Sequence, residues 1–359
     1  MVTMLDCIRR VPLLVEKIWQ RKEENFAEVF KVYDPGQIDE IVLIGSGSSL
    51  TAAQTARYLC EQASGVRVSA LPPNEFRNNC YVRNKNALHV FISQTGTSAA
   101  LLDTIAYAGK LGMKTAVVSE NPDTPASKAG GAYICMECGH EEYGIRTIGY
   151  STTVMTLMTM GIVLGEKRGI LQDADLTAYG KQVADAVHSI PEVIEKTLHF
   201  MDVSRRRIMR SRFIAFTGVG PLWGVAQEGA VKMWEAPQFP SAAYEMDEGM
   251  HGPNFGYNDN DAVIILNDGA PGMERAQSLA RYMKNEHRNG YIFGVGALDE
   301  DDVSFEPKGG AFRCLEFAAA VQTFMYRLAV DGGRDFSILG IHAKMNSYFD
   351  AHKRQEKNT

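Results

Sequence analysis

ALHVFISQTGTSAALLDTIAYAGKLG, residues 87–112, predicts one strand followed directly by one helix. The run 87–92 is almost wholly apolar, as in a strand that is buried on both faces of a parallel sheet. From Ser98 onward the apolar residues recur at helical spacing, and the segment ends in a lysine and a glycine, which is typical of a helix C-terminus. Between the two elements lies a polar stretch, SQTGTS, whose hydroxyl side chains are poor core residues.

The same strand-then-helix pattern recurs along the chain. Apolar runs in the first half cover residues 40–47, 87–93 and 114–119, and runs in the second half cover 212–220, 261–268 and 289–296. The offset between the halves is nearly constant: 172 residues from Ile41 to Phe213, 173 from Val90 to Val263, and 176 from Ala116 to Ile292. A constant offset over three elements indicates a duplication.

Strands that alternate with helices predict βαβ units and a parallel sheet with helices on both faces. We therefore predict an α/β protein with two tandem doubly wound parallel-sheet domains. The expected boundaries are N-terminal helices over 1–30, a first domain over 31–180, and a second domain over 181–359 that includes a C-terminal tail.

Composition excludes several classes of partner. The 359 residues carry a net charge of −6, and this acidic balance disfavours a nucleic-acid partner. No long uninterrupted apolar stretch and no signal-peptide core are present, so neither a membrane span nor secretion is expected.

Six cysteines in mostly apolar context favour a reducing cytoplasm. The lone Cys135–Cys138 pair is weak evidence for zinc, and buried thiols at a strand end are the alternative.

Two hydroxyl-rich segments, GSGSS (45–49) and SQTGTS (93–98), follow predicted strands and open predicted helices. We call them together the phosphate cup. In doubly wound folds, ligands bind beyond the carboxyl ends of strands, and helix N-termini favour anions. The alternative is that these residues only cap helices and form turns. The matching segments of the second half, at 218–224 and 267–272, contain few hydroxyls, which predicts one phosphate site per chain.

The cup and the duplication resemble the SIS (sugar isomerase) family. The segment AQEGAVKMWEAPQFPSAAYEMDEGMHGP (226–253) resembles the isomerase half of glucosamine-6-phosphate synthase, in which E-G-A-x-K-x-x-E precedes a motif ending in H-G-P. This resemblance implies phosphate and sugar binding by Ser46, Ser48, Ser49, Ser93, Gln94, Thr95, Ser98 and Ser151. It implies three catalytic residues: Glu235 for C1/C2 proton transfer, His251 for ring opening from a neighbouring subunit, and Lys344 on a closing tail.

The charged residues of this segment and of the tail also have interpretations without a catalytic role. Glu228 and Lys232 lie four residues apart and could form only a surface helix pair. His251 could be a turn histidine before Gly-Pro, and Lys344 could be a solvated tail lysine. For Glu235, Pro237 is expected to end the helix nearby. The carboxylate would then meet the negative end of the helix dipole, which favours its neutral form.

Departures from the synthase pattern guide the choice of reaction. Thr97 and Arg146 stand where the synthase has acidic residues, and Thr153 stands where it has a lysine. With these changes the sequence resembles deglycases, which split 6-phosphorylated Amadori compounds into a hexose 6-phosphate and an amine. The alternatives are an amino-sugar 6-phosphate deaminase or isomerase, and a non-catalytic phosphosugar sensor. We expect a homodimer or a higher oligomer and no metal or organic cofactor, because the substrate nitrogen supplies the electron sink.

Overall fold

A computed structural model describes residues 2–336 and residue 348. Within this range the chain forms two compact units. The first-sheet unit comprises residues 17–144 and 152–178, and the second-sheet unit comprises 2–16, 145–151 and 179–336. Each unit contains one five-stranded sheet. The domain boundaries inferred from the sequence stay a prediction.

The first sheet is built from β1 (Glu40–Gly45), β2 (Arg67–Leu71), β3 (Ala87–Ile92), β4 (Thr115–Ser119) and β5 (Ala132–Cys135). Its strand order is β2-β1-β3-β4-β5, and every neighbouring pair is parallel. The central strands β1, β3 and β4 are buried along nearly their whole length. This burial explains their continuous apolar runs, because helices cover both faces of a parallel sheet.

The second sheet is built from β6 (Phe213–Gly218), β7 (Ser241–Glu245), β8 (Asp261–Asn267), β9 (Gly290–Gly294) and β10 (Val303–Ser304). Its order, β7-β6-β8-β9-β10, repeats the order of the first sheet, and every pair is again parallel. The predicted fold class, two doubly wound parallel sheets, is therefore confirmed. All six apolar runs that carried the prediction form strands.

Sequence analysis missed the four remaining strands, β2, β5, β7 and β10. These strands have five residues or fewer, and β2, β5 and β7 are only partly buried. A strand at or near a sheet edge needs less apolar surface, so its sequence lacks the continuous apolar run that identifies a central strand.

The described residues form eleven helices: α1 (Met4–Gln20), α2 (Lys22–Val32), α3 (Ser48–Ser64), α4 (Pro73–Asn78), α5 (Ala99–Lys110), α6 (Pro125–Ala129), α7 (Ile148–Lys167), α8 (Asp173–Ile208), α9 (Pro221–Glu235), α10 (Ala276–Glu286) and α11 (Cys314–Asp331). Helix α8 has 36 residues and continues through Pro191, a residue that ordinarily breaks or kinks a helix. The buried neighbours Ile190, Val193 and Ile194 stabilise this stretch, because tertiary packing supplies most of the stability of protein helices.

One helix among the described residues, α7, is long and apolar enough to cross a membrane by composition. Its apolar window is entirely buried inside the protein. A helix in the core of a globular protein can be equally long and apolar. A helix that is apolar on every side is expected to be buried on every side.

The core of the first-sheet unit contains a buried histidine on β3. His89 is 2% exposed, lies edge-on to the ring of Phe76, and its Nδ1 has no hydrogen-bond partner among the described residues. Burial lowers the pKa of His89 below its ordinary value of 6.5. The folded protein therefore holds this imidazole neutral at a pH at which the unfolded chain protonates it.

We expect His89 to make the first-sheet unit sensitive to acid. Its contribution to stability is complete above about pH 6.5. The free energy of unfolding should fall by at most about 1.4 kcal/mol per pH unit below that point, until the lowered pKa is passed. Urea unfolding at pH 7.5 and 5.5 measures the effect, and His89→Leu should show a shallower dependence on pH. An identical dependence in both proteins would contradict this account.

Candidate functional site

The two segments of the phosphate cup lie side by side in the first-sheet unit. Gly45 at the end of β1 pairs with Ile92 at the end of β3, so Ser46 and Ser93 directly follow paired residues. Neighbouring strands are about 4.8 Å apart. The two strands also flank the point at which the strand order reverses, which is where doubly wound folds bind ligands. The structure thus brings together the two segments that the sequence singled out.

Both cup segments lead into helices whose first N–H groups face the same edge of the sheet. The N-cap residues are Gly47 for α3 and Ser98 for α5, and neither helix is capped by the side chain of its N-cap residue. The alternative view that Ser98 serves as a side-chain cap is therefore not what the structure shows. Two uncapped N-termini on adjoining strands favour an anion at this edge.

Most of the cup side chains are partly buried. Ser46 is exposed, Ser93 is 9% exposed, and the others are half-buried: Ser48, Ser49, Gln94, Thr95 and Ser98. The Nε2 atom of Gln94 is buried and has no hydrogen-bond partner among the described residues. A buried donor without an acceptor costs free energy, so this amide fits a site for an anion.

Ser151, the eighth predicted binding residue, lies in the first turn of α7 and belongs to the second-sheet unit. It is 1% exposed. The Gln322 Nε2 group donates to the carbonyl of Thr147 at 3.0 Å and to Ser151 Oγ at 3.5 Å. Gln322 was not among the predicted site residues. The one feature of the sequence that could have identified it is its amide side chain within the apolar run AAAVQTFM of α11.

Glu235 is the last residue of α9, as Pro237 predicted. Its side chain is 35% exposed, and the ammonium of Lys232 donates to Glu235 Oε2 at 2.5 Å. The same ammonium lies 3.6 Å from Glu228 Oε1, and Lys232 and Glu228 are each 1% exposed. Lys232 and Glu228 are therefore not a surface pair. Glu235 therefore has a buried cationic partner, which the expectation from the helix dipole did not include.

His251 follows a 3-10 turn, Glu248–Met250, beyond the end of β7. Its Nδ1 lies 2.9 Å from the carbonyl oxygen of Asp247. A carbonyl oxygen only accepts, so Nδ1 carries the proton and Nε2 is the nitrogen that can exchange a proton with a substrate. The side chain of Asp247 forms an ion pair with Arg275 at the start of α10, which fixes this loop at the carboxyl edge of the second sheet.

Glu235 and His251 of one chain lie at opposite edges of the second sheet. Helix α9 starts after the carboxyl end of β6 and ends at Glu235, and five residues separate Glu235 from the start of β7, so Glu235 lies at the amino edge. His251 lies at the carboxyl edge. The five residues of β7 alone span roughly 16 Å at 3.3 Å per residue. These two predicted catalytic residues therefore cannot contact one substrate from within a single copy of the chain.

Lys344, the third residue predicted to be catalytic, lies outside the described residues.

The cysteine pair, Cys135 and Cys138, lies at and just beyond the end of β5. The side chain of Asn25 accepts a hydrogen bond from the Cys135 N–H at 2.8 Å and donates one to the Cys135 carbonyl at 2.9 Å. Burial raises the pKa of the Cys138 thiol to about 12. Cys138 is buried and Cys135 is partly exposed. Among the described residues, no group of three or more His, Cys, Asp or Glu side chains is placed to hold a metal ion.

Comparison with known proteins defines the class of this site. Residues 37–164 match the family model of the SIS domain. This segment, which contains the first sheet and the phosphate cup, is therefore similar to SIS domains, and the resemblance stated from the sequence is confirmed.

Relatives of known name extend the similarity over most of the chain. Glutamine–fructose-6-phosphate aminotransferase (isomerizing) of Caulobacter vibrioides is 24% identical over 314 residues, which cover 84% of this chain and 51% of that protein. The chain thus spans about half the length of the curated relatives it matches.

Two solved structures share the fold. A protein from Clostridium difficile 630, provisionally named a phosphosugar isomerase, has a TM-score of 0.89 and 20% identity, with 96% of this chain and 98% of that chain covered. Glucosamine-6-phosphate deaminase from Thermotoga maritima has a TM-score of 0.71 and 19% identity, with coverage of 92% and 97%.

Proposed function

We propose that this protein is an enzyme of the phosphosugar isomerase and deaminase kind. The observation that carries the proposal is the phosphate cup: hydroxyl side chains at paired strand ends, two uncapped helix N-termini, and a buried amide donor without a partner. The phosphate of a sugar 6-phosphate supplies the matching acceptor oxygens. Relatives whose names refer to phosphosugar chemistry support this assignment.

Within this class we propose a deglycase that splits a 6-phosphorylated Amadori compound into a hexose 6-phosphate and a free amine. His251 assists ring opening through Nε2. Glu235 removes a proton from C1, and the C2 carbonyl oxygen gains a proton, which gives an enaminol. Return of a proton to C2 gives an imine at C1. Water adds to the imine carbon, C1. The C1–N bond then breaks, the amine leaves with protons from the added water, and C1 becomes the aldehyde of the hexose 6-phosphate.

The Glu235–Lys232 pair supports the role of the carboxylate. A base must be ionised before it can accept a proton, and the buried ammonium of Lys232 stabilises that charge. The exposed part of the Glu235 side chain can still receive a substrate proton. Neither residue needs a metal or an organic cofactor for this step.

We further propose that the enzyme acts as a homodimer or a higher oligomer. Because Glu235 and His251 lie at opposite edges of their sheet, His251 would complete the site of a second copy. A groove of about 550 Å³ lies beside His251, lined by residues such as Met250, Leu279 and Tyr282. Phe255 at its rim is 88% exposed. An exposed aromatic over an apolar groove is typical of a protein interface, and the second copy is the occupant we assign.

The compartment follows from the thiols. The six cysteines are present as thiols without disulfide bonds, and four of them are buried. Free thiols persist in a reducing environment, so we propose a cytoplasmic location.

A panel of purified substrates tests the reaction. The protein should release an amino acid from 6-phosphorylated fructosamine or glucoselysine adducts and leave the unphosphorylated adducts intact. Ammonia release from glucosamine 6-phosphate would instead favour a deaminase, the second candidate, which the fold of the Thermotoga maritima deaminase supports. Binding of the panel without turnover of any member would overturn the enzyme proposal.

A double substitution tests the phosphate cup. Ser93→Ala with Thr95→Ala should weaken binding of a hexose 6-phosphate about 10²-fold to 10⁴-fold, because two hydrogen bonds to a charged ligand contribute about 1.5–3 kcal/mol each and 1.4 kcal/mol is tenfold. Calorimetric titration measures the affinity, and Ser64→Ala, a buried hydroxyl at the end of α3, is the matched control. An unchanged affinity for the phosphorylated sugar would remove the cup from the proposal.

A further inference from the structure

The centre of the phosphate cup is in direct contact with a residue that sequence analysis did not single out. Gly96 has φ of +64°, and a Cβ at this position would lie 2.5 Å from both Cβ and Oγ1 of Thr124. Real side chains do not approach so closely. Thr124, the N-cap of α6, therefore lies against the backbone of the cup, and only glycine fits opposite it.

Backbone hydrogen bonds tie the same two segments together. The Glu120 N–H donates to the carbonyl of Gln94 at 3.0 Å, and the Ala126 N–H donates to the carbonyl of Gly96 at 3.1 Å. In a trans peptide the N–H points opposite to the C=O. Each bond therefore turns the next N–H, that of Thr95 or Thr97, away from the segment 119–127.

The position of Thr124 is itself fixed by other hydroxyls. Its Oγ1 accepts from the Ser127 N–H at 3.1 Å, lies 2.7 Å from Ser127 Oγ, and donates to Ser119 Oγ at 3.2 Å. Ser119 Oγ and Ser127 Oγ lie 2.6 Å apart. Ser119 is fully buried and Thr124 is 4% exposed. We call Ser119, Thr124 and Ser127 the hydroxyl triad. A side chain held by two hydroxyl contacts and a backbone N–H has one rotamer.

We propose that Thr124 is a positioning residue of the phosphate cup. The hydroxyl triad holds Thr124, Thr124 holds Gly96, and Gly96 sets the direction of the N–H groups that face a phosphate. This inference rests on the proposed function and adds to it a residue that touches no substrate. Loss of the Thr124 hydroxyl should weaken binding of the phosphate and leave the proton-transfer step unchanged.

Thr124→Val keeps the size of the side chain and removes its hydrogen bonds, whereas Thr124→Ser keeps them. We expect Thr124→Val to raise the dissociation constant of hexose 6-phosphate and of inorganic phosphate about tenfold, with KM raised and kcat near the wild-type value. Thr124→Ser should bind within about twofold of wild type. The control is Thr159→Val, the same change at a buried hydroxyl that bonds only within α7; it should bind as wild type does.

Gly96→Ala provides a second route should Thr124→Val not fold. Its control is Gly112→Ala, at a similar φ of +68° but with nothing within 4 Å of the new Cβ. Both variants carry the same backbone strain, so only Gly96→Ala should lose phosphate affinity. Equal phosphate affinity in Thr124→Val and Thr159→Val, or in the two alanine variants, would overturn the inference. Wild-type protein that binds neither probe would instead overturn the proposed function.

Discussion

Replacing Glu235 by glutamine is expected to lower kcat by a factor of about 10² to 10⁴, the range that one acid–base group contributes. Glutamine has nearly the same shape and can still accept a hydrogen bond from Lys232, but its amide cannot accept and return a proton at neutral pH. Binding of a hexose 6-phosphate product should stay within about threefold of wild type, because the phosphate and the hydroxyls anchor the sugar.

The control for this substitution is Glu286→Gln. Glu286 is also the last residue of a helix, α10, in the same unit, and its side chain is exposed. Its replacement should leave kcat unchanged. Stopped assays of amine release give kcat, and calorimetric titration with the product gives the affinity. Turnover by Glu235→Gln at the wild-type rate would mean that another group moves the proton, and the assignment of Glu235 would be lost.

Much of the architecture could be predicted because central parallel strands have a distinctive pattern. A strand such as β3 is covered on both faces, so its apolar residues are continuous and its ends are clear. The strand β10 has two residues and no such run. Its pairing with β9 depends on the rest of the sheet being formed, and that information is absent from the local sequence.

The phosphate cup could be predicted because a general rule places the carboxyl ends of parallel strands at one edge. The contact between Gly96 and Thr124 could not, because the two residues are 28 positions apart and both belong to ordinary turn sequences. The spacing of Glu228 and Lys232 predicted a pair on one helical face. It did not predict that Lys232 is buried, because spacing along a helix does not show what packs against it.

The separation of Glu235 from His251 also follows from topology, and it leads to a prediction about mixed subunits. In a dimer in which each His251 completes the neighbour's site, a subunit carrying Glu235→Gln still provides an intact histidine. A subunit carrying His251→Asn still provides an intact carboxylate. Their mixed dimer contains one site with both changes and one site with neither.

We therefore expect the two inactive variants to restore activity when they are mixed. Random exchange makes half of the dimers mixed, each with one intact site of two, so specific activity should reach about one quarter of wild type in a twofold-symmetric dimer. Co-expression of differently tagged subunits and assay of the doubly purified mixed dimer would measure about one half.

The matched control replaces the Glu235→Gln partner by a chain that carries both Glu235→Gln and His251→Asn. Mixed with His251→Asn, this chain can supply neither residue to its neighbour, so no activity should return. If the two single variants also stay inactive after proven exchange, His251 does not act in the site of a second copy. Because the fold keeps it away from Glu235 of its own chain, the loss of activity in His251→Asn would then be a structural effect and not the loss of a catalytic group.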